Sequence, residues 1–252
     1  MNTLDLALAA VVGAMLGSFA NVVIYRLPAG ASIVRPGSRC PHCGHPVRPW
    51  DNVPLISYLL LRGRCRDCRA PIAIRYPLVE GLMALLGVGV RLRFAGPIAV
   101  VWVPLLSALL FAFLLVVITF IDLDHQLIPN RITYPGIAVG MVLAAIQGRA
   151  LLAGMTALGA GGLILAIVIA SRGGMGGGDV KLAGLIGVFL PWPGAAVSLF
   201  LGFVGGGLVS IVLLALRLRG RKDAIPFGPA LAAGALAALF WGNAIWAWYW
   251  PR

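Results

Sequence analysis

Eight carboxylates and four cysteines carry most of the chemistry open to this chain of 252 residues. The acids are Asp5, Asp51, Asp67, Glu80, Asp122, Asp124, Asp179 and Asp223. Asp122 and Asp124 close a long apolar run. A helix C-terminus repels carboxylates through its dipole, so capping does not account for them. Asp179 follows Gly176-Gly177-Gly178 and opens another apolar run, where an acid suits a helix N-terminus. Two carboxylates brought together from separate elements share one proton, because both do not readily ionise at close range. The ionised partner then activates a water and the protonated one polarises a carbonyl, which is the chemistry of aspartic proteolysis. The three glycines let backbone, or an extended substrate, pass close to Asp179. Glu80, after Pro77, suits the first turn of a helix or a polar contact in a pocket, and His125 suits a membrane interface.

The cysteines form Cys40-Pro-His-Cys43 and Cys65-Arg-Asp-Cys68, two Cys-x-x-Cys pairs in one polar segment. Each pair places two thiolates on a tight turn, and two such turns close around a tetrahedral zinc ion. His42 and His45 are alternative ligands, but four cysteines already complete a closed, structural site. Two disulfides are the competing pattern, disfavoured in a reducing compartment.

The elements that must position these groups are membrane helices. Of the residues, 60% are hydrophobic and 11% charged, with a mean hydropathy of +0.96. A soluble domain needs more charge. Residues 94–121, 150–171, 182–216 and 224–251 hold long stretches without Lys or Arg, and each is long enough to cross a bilayer. Met1–Asp5 lacks the basic region of a cleaved signal, so the first apolar run is expected to stay as a span. The pattern predicts an all-α polytopic membrane protein with about eight transmembrane helices, near 4–24, 76–93, 97–120, 132–147, 151–170, 180–190, 195–216 and 226–249. A polar segment, 25–75, separates the first two. No internal repeat is evident.

The net charge of +12 would suggest nucleic acid in a soluble protein. Here sixteen of the twenty Lys and Arg fall on one side of the predicted topology, with the polar segment and both acid-bearing turns. The positive-inside rule accounts for that and places these segments in the cytoplasm. It implies a lipid-bilayer partner and no nucleic acid. The arginines flanking the cysteines read as anchors near anionic lipid, or as attraction for an acidic partner.

The ordered motifs resemble the type IV prepilin peptidases. They are Gly17-Ser-Phe-Ala-Asn21 with Tyr25-Arg-Leu-Pro28, Cys40-Pro-His-Cys43-Gly-His, Arg48-Pro-Trp-Asp-Asn-Val-Pro54, Cys65 and Cys68, and Arg75-Tyr-Pro-Leu-Val-Glu80. Ile121-Asp-Leu-Asp-His-Gln-Leu-Ile-Pro129, Gly174-Met-Gly-Gly-Gly-Asp-Val-Lys-Leu182 and Ile225-Pro-Phe-Gly-Pro229 complete the set. The resemblance implies a bifunctional enzyme of the bacterial inner membrane with its active site facing the cytoplasm. Such enzymes cut the short basic leader of prepilins and pseudopilins after glycine, then methylate the new N-terminal amine with S-adenosylmethionine. It maps the catalytic pair to Asp124 and Asp179, with Asp122 as runner-up for the first place. Gly176, Gly178, Lys181, Asp122 and Glu80 are expected to support the site.

The same resemblance implies three parts: a first helix at 1–24, a four-cysteine zinc-binding, methylation-associated segment at 25–75, and a membrane peptidase at 76–252. Two departures stand out. Many relatives carry Asp where this chain has Asn130, and the stretch from Pro28 to Cys40 is short. The alternatives are a peptidase that does not methylate, or an ion-coupled transporter using the same aspartates. The cysteine pairs favour the bifunctional enzyme, and no inverted halves support a transporter.

Overall fold

The computed structural model describes residues 2–171, 175–218, 220 and 225–250. Gly174, Arg172, Arg219, Arg221, Lys222, Asp223 and Arg252, all used in the topology or motifs above, lie outside the described residues. Among the described residues the regular elements are helical, with only isolated β-bridges beside them. The α-helices are α1 (Thr3–Arg26), α2 (Ile56–Leu60), α3 (Arg75–Arg93), α4 (Ile98–His125), α5 (Asn130–Ile146), α6 (Ala150–Ala170), α7 (Gly177–Phe189), α8 (Gly194–Ala215) and α9 (Gly228–Tyr249).

Five of these, α1, α4, α6, α8 and α9, are long and apolar enough to cross a membrane. The chain is therefore a multi-pass helical membrane protein. Helices stand at all eight expected places, but three differ in kind. α5 is apolar and shorter. α3 carries Arg75, Glu80, Arg91 and Arg93, and α7 has 13 residues. Length and hydropathy alone do not qualify these three as spans.

Packing divides the chain into two units, Met1–Pro97 and Ile98–Arg252. The division falls after α3 rather than before it. In the first unit α1 lies along α3 through small residues. A Cβ on Gly13 would sit 2.3 Å from the Met83 carbonyl oxygen, so nothing larger than glycine fits there. Buried Arg91 on α3 is held by Asp5 (3.3 Å) and by the carbonyls of Phe94 and Gly96.

In the second unit α4 is the central helix and packs on α5, α7 and α9. Phe111 of α4 stacks on Phe189 of α7, with ring centroids 4.9 Å apart. Ile118 and Ile121 of α4, and Leu182, Leu185 and Ile186 of α7, are fully buried as well. This packing fixes the rotation of α4 about its axis, and hence which of its terminal acids turns inward.

Gly13→Leu is expected to destabilise the detergent-solubilised protein by about 1–3 kcal/mol through overpacking. Gly159→Leu on α6, where a new Cβ meets nothing within 4 Å, should leave the thermal unfolding midpoint nearly unchanged.

Candidate active site and metal centre

The carboxylate site belongs to the second unit and is built at helix termini. Residues two apart on a helix point about 200° apart. When α4 is packed, Asp122 turns inward and is 5% exposed, whereas Asp124 is exposed. Asp179, at the third position of α7, is 7% exposed. Among the described residues of this unit, Asp122 and Asp179 are thus the two acids that are buried. Asp124, expected as the partner of Asp179, occupies the outward phase of the same turn.

Each buried carboxylate is held by the first backbone N–H groups of a helix, donors that have no partner within their own helix. The Gly176 N–H donates to Asp179 Oδ2 at 3.1 Å, closing the start of α7. The Gly228 N–H donates to Asp122 Oδ2 at 3.0 Å from the start of α9. Both contacts lie at the positive ends of helix dipoles. Gly228 is a site residue that the sequence pattern quoted without giving it a role. A Cβ there would meet Asp122 Oδ2 at 2.6 Å. A glycine followed by proline at the head of an apolar run was its signal, since only glycine lets a carboxylate that near. Gly178 is likewise tight: a Cβ would lie 3.0 Å from the Ile128 Cβ.

Lys181 turns away from this pair. It donates to Asn130 Oδ1, and its Nζ lies 5.8 Å from the centre of the Tyr134 ring. Asn130 keeps a partner for the lysine where an aspartate would form an ion pair.

Glu80 lies in the first unit. It sits in the second turn of α3 rather than the first, is buried, and accepts the Leu55 N–H at 2.8 Å. Leu55 is left-handed (φ 62°), so this carboxylate pins a bend of the polar segment against α3.

Cys40, Cys43, Cys65 and Cys68 converge in the same unit, with their sulfurs all within 4.8 Å of one another and unbridged. Cys40 Sγ is 3.8 Å from Cys68 Sγ. A tetrahedral ion with metal–sulfur bonds of about 2.3 Å spaces its sulfurs about 3.8 Å apart. His42 and His45 are exposed and stand outside the cluster.

The two knuckles are copies of one another. In the first, the Cys40 N–H bonds to His45 O, the Gly44 N–H to Cys40 O, and Arg39 bridges to Pro46. In the second, the Cys65 N–H bonds to Ala70 O, the Arg69 N–H to Cys65 O, and Arg64 bridges to Pro71. The expectation of no internal repeat is corrected here. Cys-x-x-Cys-x-x-Pro occurs twice, at 40–46 and 65–71, and was too short to register as a period.

The thiols themselves fit a cation. N–H groups of Cys43 and His42 lower the Cys40 thiol to about 6. The His45 N–H pulls Cys43 the same way. Desolvation and the neighbouring thiols outweigh it, pushing Cys43 up to about 12. Four thiolates do not coexist at this spacing without a metal ion among them. The segment also lacks a core: no apolar side chain between Arg26 and Leu78 is buried. Metal ligation would supply folding energy to a segment with so little core.

A helical membrane protein with two carboxylates buried at helix termini and a four-cysteine cluster able to hold a metal ion is the class that fold and sites define. Residues 109–211 match the model of the type IV leader peptidase family, and residues 11–94 match that of the bacterial peptidase A24 N-terminal domain. The chain is 39% identical to the prepilin leader peptidase/N-methyltransferase of Aeromonas hydrophila, over 93% of this chain and 90% of that one. It is 35% identical to the protein of the same name from Pseudomonas putida, over 96% and 92%. Against that of Legionella pneumophila it is 34% identical, over 92% and 90%. No solved structure matches. The chain belongs to the type IV leader peptidase family, and its two matched regions fall one in each packing unit.

Gly228→Ala is expected to push the Asp122 carboxylate off its N–H donor and to lower peptide cleavage about 10²-fold. The thermal midpoint should move little, so paired activity and unfolding measurements check it.

Proposed function

We propose that this chain cleaves the short basic leader of prepilins or pseudopilins after glycine, at the cytoplasmic face of a bacterial inner membrane. It then N-methylates the new N-terminal residue with S-adenosylmethionine as methyl donor. The names and 34–39% identity of the relatives support the substrate class and both activities. The observation that carries the proteolytic step is the buried pair Asp122–Asp179, each carboxylate seated on a helix N-terminus.

One proton is shared between the two carboxyl groups. The ionised member takes a proton from water as the water oxygen attacks the scissile carbonyl carbon. The protonated member gives its proton to the carbonyl oxygen. Collapse of the tetrahedral intermediate breaks the carbon–nitrogen bond, and the leaving amine receives the proton taken from water. Packing by α4 and α7 positions the acids, and the N–H donors of Gly176 and Gly228 fix their orientation.

Cys40, Cys43, Cys65 and Cys68 would hold zinc. When bound it supplies a closed, structural crosslink with no open position for chemistry. Glu80 serves the same segment by anchoring Leu55.

Two measurements follow. With detergent-purified protein and a model prepilin, Asp122→Asn and Asp179→Asn should each lose cleavage by about 10²–10⁴-fold. Asp124→Asn should stay within a few-fold of wild type, read by mass spectrometry with S-adenosylmethionine present. A dead Asp124→Asn beside an active Asp122→Asn would return the first catalytic role to Asp124. In the second measurement, elemental analysis should find one zinc per chain, lost in the Cys43→Ser/Cys68→Ser variant. Zinc-free protein with four titratable thiols would sink the metal assignment.

A further inference from the structure

The metal-bearing segment has an outer face that neither proteolysis nor metal binding uses. α2 presents Ile56, Leu59 and Leu60 to the outside, and the two leucines are 74% and 77% exposed. Their spacing puts all three on one helix face. Ser57 points the other way, buried, and bonds to the Trp50 carbonyl and the Val53 N–H. Trp50, just before α2, is also exposed. A cavity of about 610 Å³ opens beside this apolar ridge, lined by Arg62, Arg64, Arg66 and Arg69 with Leu60, Leu61 and, at the edge of the cysteine cluster, Cys65.

The charges there are not balanced. Residues 25–75 contain nine arginines and only two acids. Both acids are engaged: Asp51 takes three bonds from Arg66 at 2.6, 2.8 and 3.1 Å, and Asp67 pairs with Arg48 at 3.2 Å. The Arg66 guanidinium holds the Asp51 carboxyl below the usual carboxylate range. Among the described residues, no acid pairs with Arg62, Arg64 or Arg69.

The position of this segment along α3 is fixed as well. Glu80 stands five residues into α3, about 7.5 Å along its axis, and grips Leu55 at the head of α2. The segment is therefore tied back against the N-terminal part of α3. An exposed Leu-Leu ridge, a tryptophan and three arginines without acidic partners are the side chains that suit the boundary between acyl chains and headgroups.

The geometry points to a membrane-surface site. The α2 ridge dips into the lipid boundary, and Arg62, Arg64 and Arg69 hold the phosphates of anionic phospholipids. A prepilin leader is not the occupant, because its basic residues would be repelled by the arginines. Both the site and its test are independent of the peptidase chemistry.

The experiment is hydrogen–deuterium exchange of the full chain in nanodiscs of phosphatidylcholine alone or with phosphatidylglycerol. Amides 56–66 should exchange about five-fold more slowly with the anionic lipid. The triple variant Arg62→Gln/Arg64→Gln/Arg69→Gln should lose that difference. Leu59→Ser/Leu60→Ser should exchange faster in both lipids, and zinc content reports that each variant folds. Four outcomes overturn the proposal: equal wild-type exchange in the two lipids, an unchanged lipid effect in the triple-Gln variant, equal slowing by inorganic phosphate in neutral discs, or slowing only on addition of poly-glutamate.

Discussion

A carboxylate buried among apolar helices is tolerated only where hydrogen-bond donors are already waiting for it. The second unit is arranged around that requirement. The free donors in a helical protein are the first N–H groups of each helix, so the acids must meet helix starts rather than helix flanks. α4 ends at the start of α9, and α7 begins on its own acid. Pro229 follows Gly228 at the head of α9, where its missing N–H costs nothing. The short α7 and the glycines ahead of it have the same origin, since Asp179 must lie within the first turn to reach the Gly176 N–H.

The first unit solves the inverse problem. The segment joining α1 to α3 has thiols and arginines but no buried apolar side chain, so ligation of a metal and contact with lipid are the sources of cohesion proposed for it. Its two knuckles repeat one backbone turn, which delivers four equivalent sulfurs without a core to hold them. Glu80 supplies the mechanical link, one buried carboxylate spent on the N–H of a left-handed leucine.

The helix places were legible in the sequence because bilayer-length apolar runs leave little choice of secondary structure. The cysteine cluster was legible because ligand spacing is a local property. The rotation of α4 was not. That helix is apolar on every side, so no polar face betrays its phase, and Asp122 and Asp124 look equivalent until Phe111 is stacked on α7 and Ile118 and Ile121 are buried. Gly228 was hidden for a related reason. Its role is an N–H and an empty Cβ position, and both become visible only when a residue 106 positions away arrives. The packing of α3 on the very first helix was not legible, because it is a contact between residues far apart in sequence.

The two proposed activities need no allosteric signal to occur in order. Before hydrolysis, the nitrogen that will be methylated is an amide, its lone pair delocalised into the carbonyl and unreactive toward an electrophilic methyl group. Hydrolysis at the aspartate pair turns it into an amine, which is a nucleophile once it has lost a proton. The first reaction thus creates the only competent substrate of the second. A single chain gains from carrying both, because the product of one site is already confined to the same membrane as the other. Segregating the proposed chemistry into two separately packed units is then sufficient, one holding the buried acids and the other the four-cysteine cluster.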